Sequence, residues 1–143
     1  MRISTKGRYA LRMMIEIGMN PEQCTKISQV AAHQGISDKY LEQIATILVR
    51  AGFIRSIRGA QGGYVLTRKP EEYTTGMILR QTEGSLSPVT CLDDEINSCD
   101  RASKCACLTL WTQLKYAIDQ VVDQVTLADL IEEQKRKPDI NLL

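Results

Sequence analysis

Four of the chain's five cysteines lie between Cys91 and Cys107, in the stretch CLDDEINSCDRASKCACLTLW. Seven residues separate Cys91 from Cys99, five separate Cys99 from Cys105, and Cys107 follows after one more. A thiolate is a soft ligand that selects zinc, copper(I) or iron–sulfur clusters. The surrounding residues are largely Asp, Glu, Asn, Ser and Lys, which is the composition of an exposed loop with no core to fill. Thiols gathered on such a loop pack poorly and ligate well, so the segment reads as a sensor.

Other chemistries compete for the same residues. Four cysteines can form two disulfides, but the N-terminal MRISTKGRYALRMMIEIGM mixes basic residues among its apolar positions, unlike a secretory signal. The expectation is a cytoplasmic, reducing setting, where clustered cysteines bind metal or act in redox chemistry. Structural zinc usually takes ligands paired at two to four intervening residues. Gaps of seven and five fit that poorly, and Cys105-Ala106-Cys107 is too tight for a knuckle. Unliganded thiols remain the third option. Cys24 stands apart and reads as a small buried hydrophobe or a bystander near a helix start.

Elements on both sides must hold this loop in place. At 143 residues a single domain with an appended element is expected, and no apolar run approaches the ~18 residues of a membrane helix. The net charge of +1 hides an asymmetry. Residues 1–69 carry eleven Lys or Arg against four acids, and residues 70–143 carry seven against thirteen. A basic half followed by an acidic half suggests a nucleic-acid surface and a region kept away from it.

In the basic half, Tyr9, Ala10, Met13, Met14 and Ile17 recur at helical spacing, predicting a helix from about Thr5 to Met19. Asn20-Pro21 stops it. A second helix runs from Lys26 to about Gln34 and ends at Gly35. A third starts at the cap Ser37, carries Tyr40, Leu41, Ile44, Ile47 and Leu48 inward, and ends near Ala51-Gly52. Two helices joined by a glycine turn are a helix-turn-helix, whose second helix enters the major groove. Strand-like runs Phe53–Ile57 and Tyr64–Thr67 then flank Arg58-Gly59-Ala60-Gln61-Gly62-Gly63. A glycine-rich hairpin tipped by arginine after a helix-turn-helix reads as a wing.

The acidic half holds a short helix from about Thr75 to Gln81, the cysteine loop, and a longer helix. In that helix Trp111, Leu114, Ile118, Val121 and Val125 fall at alternating intervals of three and four, the seam of a coiled coil. Self-association through these residues is expected, since a two-residue stripe cannot bury itself on so small a domain. Thr126-Leu127-Ala128-Asp129 reads as a near-miss capping box opening a last helix.

The expected fold is mainly α with a small β-hairpin wing. Residues 1–84 form a winged helix-turn-helix, 85–107 the sensor loop, 108–134 the dimerisation helices and 135–143 a flexible tail. An enzyme is disfavoured. Gly59 to Gly63 lies between strands with no following helix, unlike a nucleotide loop, and the single histidine, His33, has nothing to place it beside a cysteine nucleophile.

MRISTKGRYAL at the start, ISDKYLEQI at the recognition helix and SIRGAQGGYVL at the wing resemble the IscR/NsrR/CymR family of bacterial transcription regulators. The likeness runs to about Gln134. It implies a dimeric winged-helix factor on a pseudo-palindromic operator, responding to iron, cluster status, nitric oxide, redox state or cysteine supply. In its terms Cys91, Cys99 and Cys105 match the three thiolates of an iron–sulfur cluster, whether 2Fe–2S or 4Fe–4S. Lys39, Glu42 and Arg58 match positions that meet DNA, and the reading surface extends to Ser37, Tyr40, Gln43, Gly59 and Gln61.

The departures from the family leave the fourth ligand open. Leu108 stands where the cluster-assembly regulator has histidine, and Arg8 stands where nitric-oxide sensors have an acid. His33 reads as a surface residue, and Cys107 is the first candidate. Gly84-Ser85-Leu86-Ser87-Pro88-Val89 resembles the CymR-like branch. That branch implies control by a cysteine-synthesising enzyme or thiol oxidation, with zinc or no metal in the loop.

Overall fold

The computed structural model describes residues 2–137. The first helix, α1 (Thr5–Met19), opens at Ser4, whose Oγ accepts the Gly7 amide at 3.2 Å, satisfying a donor the first turn leaves unpaired. Its apolar stripe places Ala10, Met13, Met14 and Ile17 in the core at 1% exposure or less. Burying each of the larger three contributes roughly 1.5–3 kcal/mol. Helix α2 (Ile27–Gln34) ends where Gly35 takes a left-handed φ of 65°, a conformation that costs glycine nothing. Helix α3 (Asp38–Arg50) opens on Ser37, whose Oγ accepts the Tyr40 amide at 3.2 Å. It buries Leu41, Ile44, Ala45 and Leu48, while Ile47 is only half-buried.

Strands β1 (Ile54–Ile57) and β2 (Gly63–Leu66) pair antiparallel, with Ile54 opposite Leu66 and Ile57 opposite Gly63. Tyr73 fastens the foot of this hairpin. Its buried hydroxyl donates to the Phe53 carbonyl at 2.7 Å and accepts the amides of Thr67 and Arg68 at 3.2 and 3.0 Å. Helix α4 (Thr75–Glu83) follows, capped by Thr74. Helices α5 (Leu108–Val122) and α6 (Leu127–Arg136) complete the order.

The expected mainly α fold with a hairpin wing is the one observed, six helices and two strands among the described residues. The capping box at the start of α6 is complete. Thr126 Oγ1 accepts the Asp129 amide at 3.1 Å, and Asp129 Oδ2 accepts the Thr126 amide at 2.9 Å. Aspartate therefore serves in place of the usual Glu or Gln.

Helix α6, which the sequence reading grouped with the dimer helix, folds back onto α1 and places Leu127 and Ile131 in the same core. Gly18 makes room for it, since a Cβ there would lie 2.5 Å from Ile131 Cδ1. Val125 departs from expectation because α5 ends at Val122. Val125 lies in the turn that returns the chain, and its carbonyl accepts the Thr75 amide at 2.9 Å. Of the tail expected to be flexible, Lys135 and Arg136 close α6, and residues 138–143 lie outside the described residues.

Candidate nucleic-acid interface and cysteine loop

Burying one side of α3 leaves the opposite side to solvent. Ser37, Lys39, Glu42 and Gln43 are all exposed there, and Tyr40 is half-buried. Tyr40 meets Tyr9 of α1 edge-on, with ring centroids 5.9 Å apart, a geometry aromatic pairs favour. The contact fixes the start of α3 against α1. At the wing, Arg58, Gly59 and Gln61 are exposed, with Arg55 exposed on β1 below them. Seven of the eight residues expected to read DNA are thus exposed, and Tyr40 is half-buried against α1.

The wing has a third partner that the sequence reading missed. Thr25, just before α2, pairs with Tyr64 through N–H···O bonds of 2.9 and 2.8 Å. Lys26 Nζ donates to the Ala60 carbonyl at the wing tip, at 3.0 Å. Gly63, at φ 150°, permits this approach, because a Cβ there would lie 2.6 Å from the Thr25 carbonyl oxygen. The glycine pair Gly62-Gly63 was the available signal. It marks a backbone approached closely by another strand and not only a turn.

All five cysteines are free thiols. Cys91 lies half-buried in a 3-10 turn, Thr90–Leu92. Cys99 is exposed, its amide donating to Asn97 Oδ1 at 2.9 Å. Cys105 is half-buried directly after a second turn, Ala102–Lys104. Cys107 is exposed at the N-cap of α5, away from the core. Among the described residues, no three of His, Cys, Asp and Glu gather as they would around a metal ion. The donor types suit a soft metal centre; their positions in this conformation do not converge.

The alternative ligand positions are engaged or unsuited. His33 Nδ1 lies 3.0 Å from Glu16 Oε2 on α1, so that ring is committed to α1. Leu108 begins α5, and Arg8 is exposed on α1 with Nη2 donating to Thr5 Oγ1 at 3.2 Å.

Beyond the loop, α5 has no buried residue. Leu114 and Val121 are 41% and 62% exposed, and Leu110, in phase with them, is 50% exposed. Trp111 and Ile118 are half-buried. The helix is fastened near its end by Arg80 of α4, which ion-pairs with Asp119 and Asp123 at 2.8 and 2.6 Å. Hydrogen bonding to Asp123 raises the Arg80 pKa, against partial burial and with help from Asp119. Burial opposes ionisation of Asp119, but hydrogen bonds from Lys115 and Arg80 outweigh it and hold its carboxyl below the ordinary value. No helix among the described residues is long and apolar enough to cross a membrane.

Known proteins share this fold. The HTH-type transcriptional regulator CymR of Bacillus subtilis is 43% identical over 131 residues, which span 91% of this chain and 89% of CymR. The solved structure of CymR, titled the global cysteine regulator of B. subtilis, superposes with a TM-score of 0.78 at 39% identity, covering 93% of this chain and 98% of that one. That of T. potens IscR superposes with a TM-score of 0.77 at 32% identity, covering 97% and 93%. The family model described as "Rrf2: Iron-dependent Transcriptional regulator" matches residues 3–133. With the winged helix and these relatives in agreement, the chain belongs to the Rrf2 family and is a DNA-binding transcriptional regulator, not an enzyme.

Proposed function

We propose that the protein acts as a homodimer, reads a two-fold operator with α3 and the wing, and senses through an iron–sulfur cluster held by Cys91, Cys99 and Cys105. The observation that carries this reading is the placement of three thiols on one exposed loop leading directly into α5, a helix with no buried residue of its own. A helix that exposes Leu110, Leu114 and Val121 gains most by covering them with a second copy. Operators of helix-turn-helix dimers mirror that two-fold symmetry.

The thiols must draw together on cluster binding, which suits short 3-10 turns and exposed backbone better than it would a packed core. Three soft ligands with the fourth position filled by Cys107 or by a weaker group would give a labile centre, responsive to iron supply, oxidants or nitric oxide. Loading the loop would change operator affinity, because the loop joins the reading head to α5.

A second reading has its own support in the 43% identity to CymR and in the separation of the thiols as folded. In it the loop holds zinc or nothing, and thiol oxidation or a cysteine-synthesising enzyme controls the dimer. Anaerobic purification and reconstitution with iron and sulfide separate the two. The first reading expects a brown protein absorbing near ~400 nm, the region of sulfur-to-iron charge transfer. It expects serine at Cys91, Cys99 or Cys105 to bleach the protein without unfolding it, and serine at Cys24 to change nothing. Colourless protein after reconstitution, or stoichiometric zinc by metal analysis, decides for the second.

A further inference from the structure

Although α5 has no fully buried residue, its C-terminal end is held to the head by a specific set of bonds. Arg80 Nη1 donates to Asp123 Oδ1 at 2.6 Å, and Nη2 donates to Asp119 Oδ1 at 2.8 Å and to Asp123 Oδ2 at 3.2 Å. Lys115 Nζ holds the other Asp119 oxygen at 2.8 Å. Thr75 adds two bonds to backbone, from Oγ1 to the Val122 carbonyl and from N to the Val125 carbonyl, both at 2.9 Å. The helices approach so closely here that a Cβ on buried Gly76 would collide with the Asp123 carboxylate.

Exposed ion pairs add little to folding stability, so such an arrangement answers to geometry. A guanidinium is planar, with donors in a fixed fork, and gripping two carboxylates one turn apart fixes direction as well as distance. The grip lies at one end of a lever. Fifteen residues of helix span about 22 Å at about 1.5 Å per residue. A tilt of about 10° at the clamp therefore carries the far end about 4 Å, close to the roughly 3.4 Å between base pairs along one strand.

We infer that Arg80 is a positioning residue for operator reading: by gripping Asp119 and Asp123 it sets the angle between head and arm, and so the half-site separation that the dimer accepts. This rests on the homodimer reading above. The same helix packs beside the Thr90–Leu92 turn that carries Cys91, so a change in the loop acts on a lever whose other end is pinned.

The test uses full-length protein and a duplex selected from a randomised pool by the wild type. That duplex is then remade with its half-sites moved together or apart in single base-pair steps. Sedimentation should show Arg80→Gln and Asp123→Asn as dimers, and both should bind a duplex with one half-site as the wild type does. At the wild-type separation their affinity should fall about tenfold, and the preference for that separation over its neighbours should flatten. The double variant should be no worse than either single, because each removes the same grip. A retained spacing preference overturns the inference, and so does an equal loss on the single half-site, which would place the damage in the head. A wild type that sediments as monomer defeats the homodimer reading instead, and the clamp falls with it.

Discussion

The winged helix buries its apolar side chains against one another, whereas α5 buries none of its own. Met13, Ile44 and Leu48 sit at 1% exposure or less inside the head, while Leu110, Leu114 and Val121 of the arm face outward. Both stripes have the spacing of an amphipathic helix. What differs is where the partner comes from. The head supplies its own, so its reading face is set in the monomer. In the homodimer proposed above the arm would complete its packing by association, which would open its geometry to control by concentration, by DNA and by the loop at its base.

Substitutions that treat the two regions alike should therefore give opposite results. Leu48→Ala leaves a cavity in the head and should lower folding stability by about 2–5 kcal/mol in chemical denaturation. Ile118→Asp, at a half-buried position, should lower the melting of a monomer less than Leu48→Ala does, yet should cost the dimer several kcal/mol by placing an unpaired charge in an apolar seam. Sedimentation reads the second effect, and a variant that stays a tight dimer would move the seam to another face. Arg58→Ala, which touches neither core nor seam, should weaken specific operator binding by roughly 1–3 kcal/mol. Its slope of log affinity against log salt should fall by about 0.9 if the contact is to a phosphate. An unchanged operator affinity would remove the wing from the reading surface.

The smallest effect should come from acid. The Asp119 carboxyl is held below its ordinary value, so its contribution is fully present above the unfolded pKa of about 3.9. That contribution is lost as pH falls through the lower folded value. The Asp119 contribution to holding the arm should be lost only below about pH 4, and Asp119→Asn should make that step smaller in a pH series of small-angle scattering.

Much of the head was legible because its signals are local. The stripe Ala10, Met13, Met14, Ile17 names a helix face, and Ser37 and Gly35 name a start and a stop within a few residues. The exposed side of α3 was legible for the same reason, being whatever its buried face leaves out. The return of α6 was not, because it depends on Ile131 meeting a gap at Gly18 far away in the chain. Arg80 gave no signal either, since its partners lie 39 and 43 residues away. In the loop, residue types suggested soft-metal chemistry but not where the thiols lie, because spacing alone does not make an exposed segment converge.

The return of α6 also has a consequence for synthesis. Leu127 and Ile131 complete a core begun by α1, so a chain growing on the ribosome makes its cysteine loop and α5 before the last part of that core. Domains tend to fold as units while they are translated. Here the unit is interrupted by its own insertion, and long-range closure of this kind slows folding. The thiols of the loop are therefore synthesised before the last side chains of the core on which the head is built.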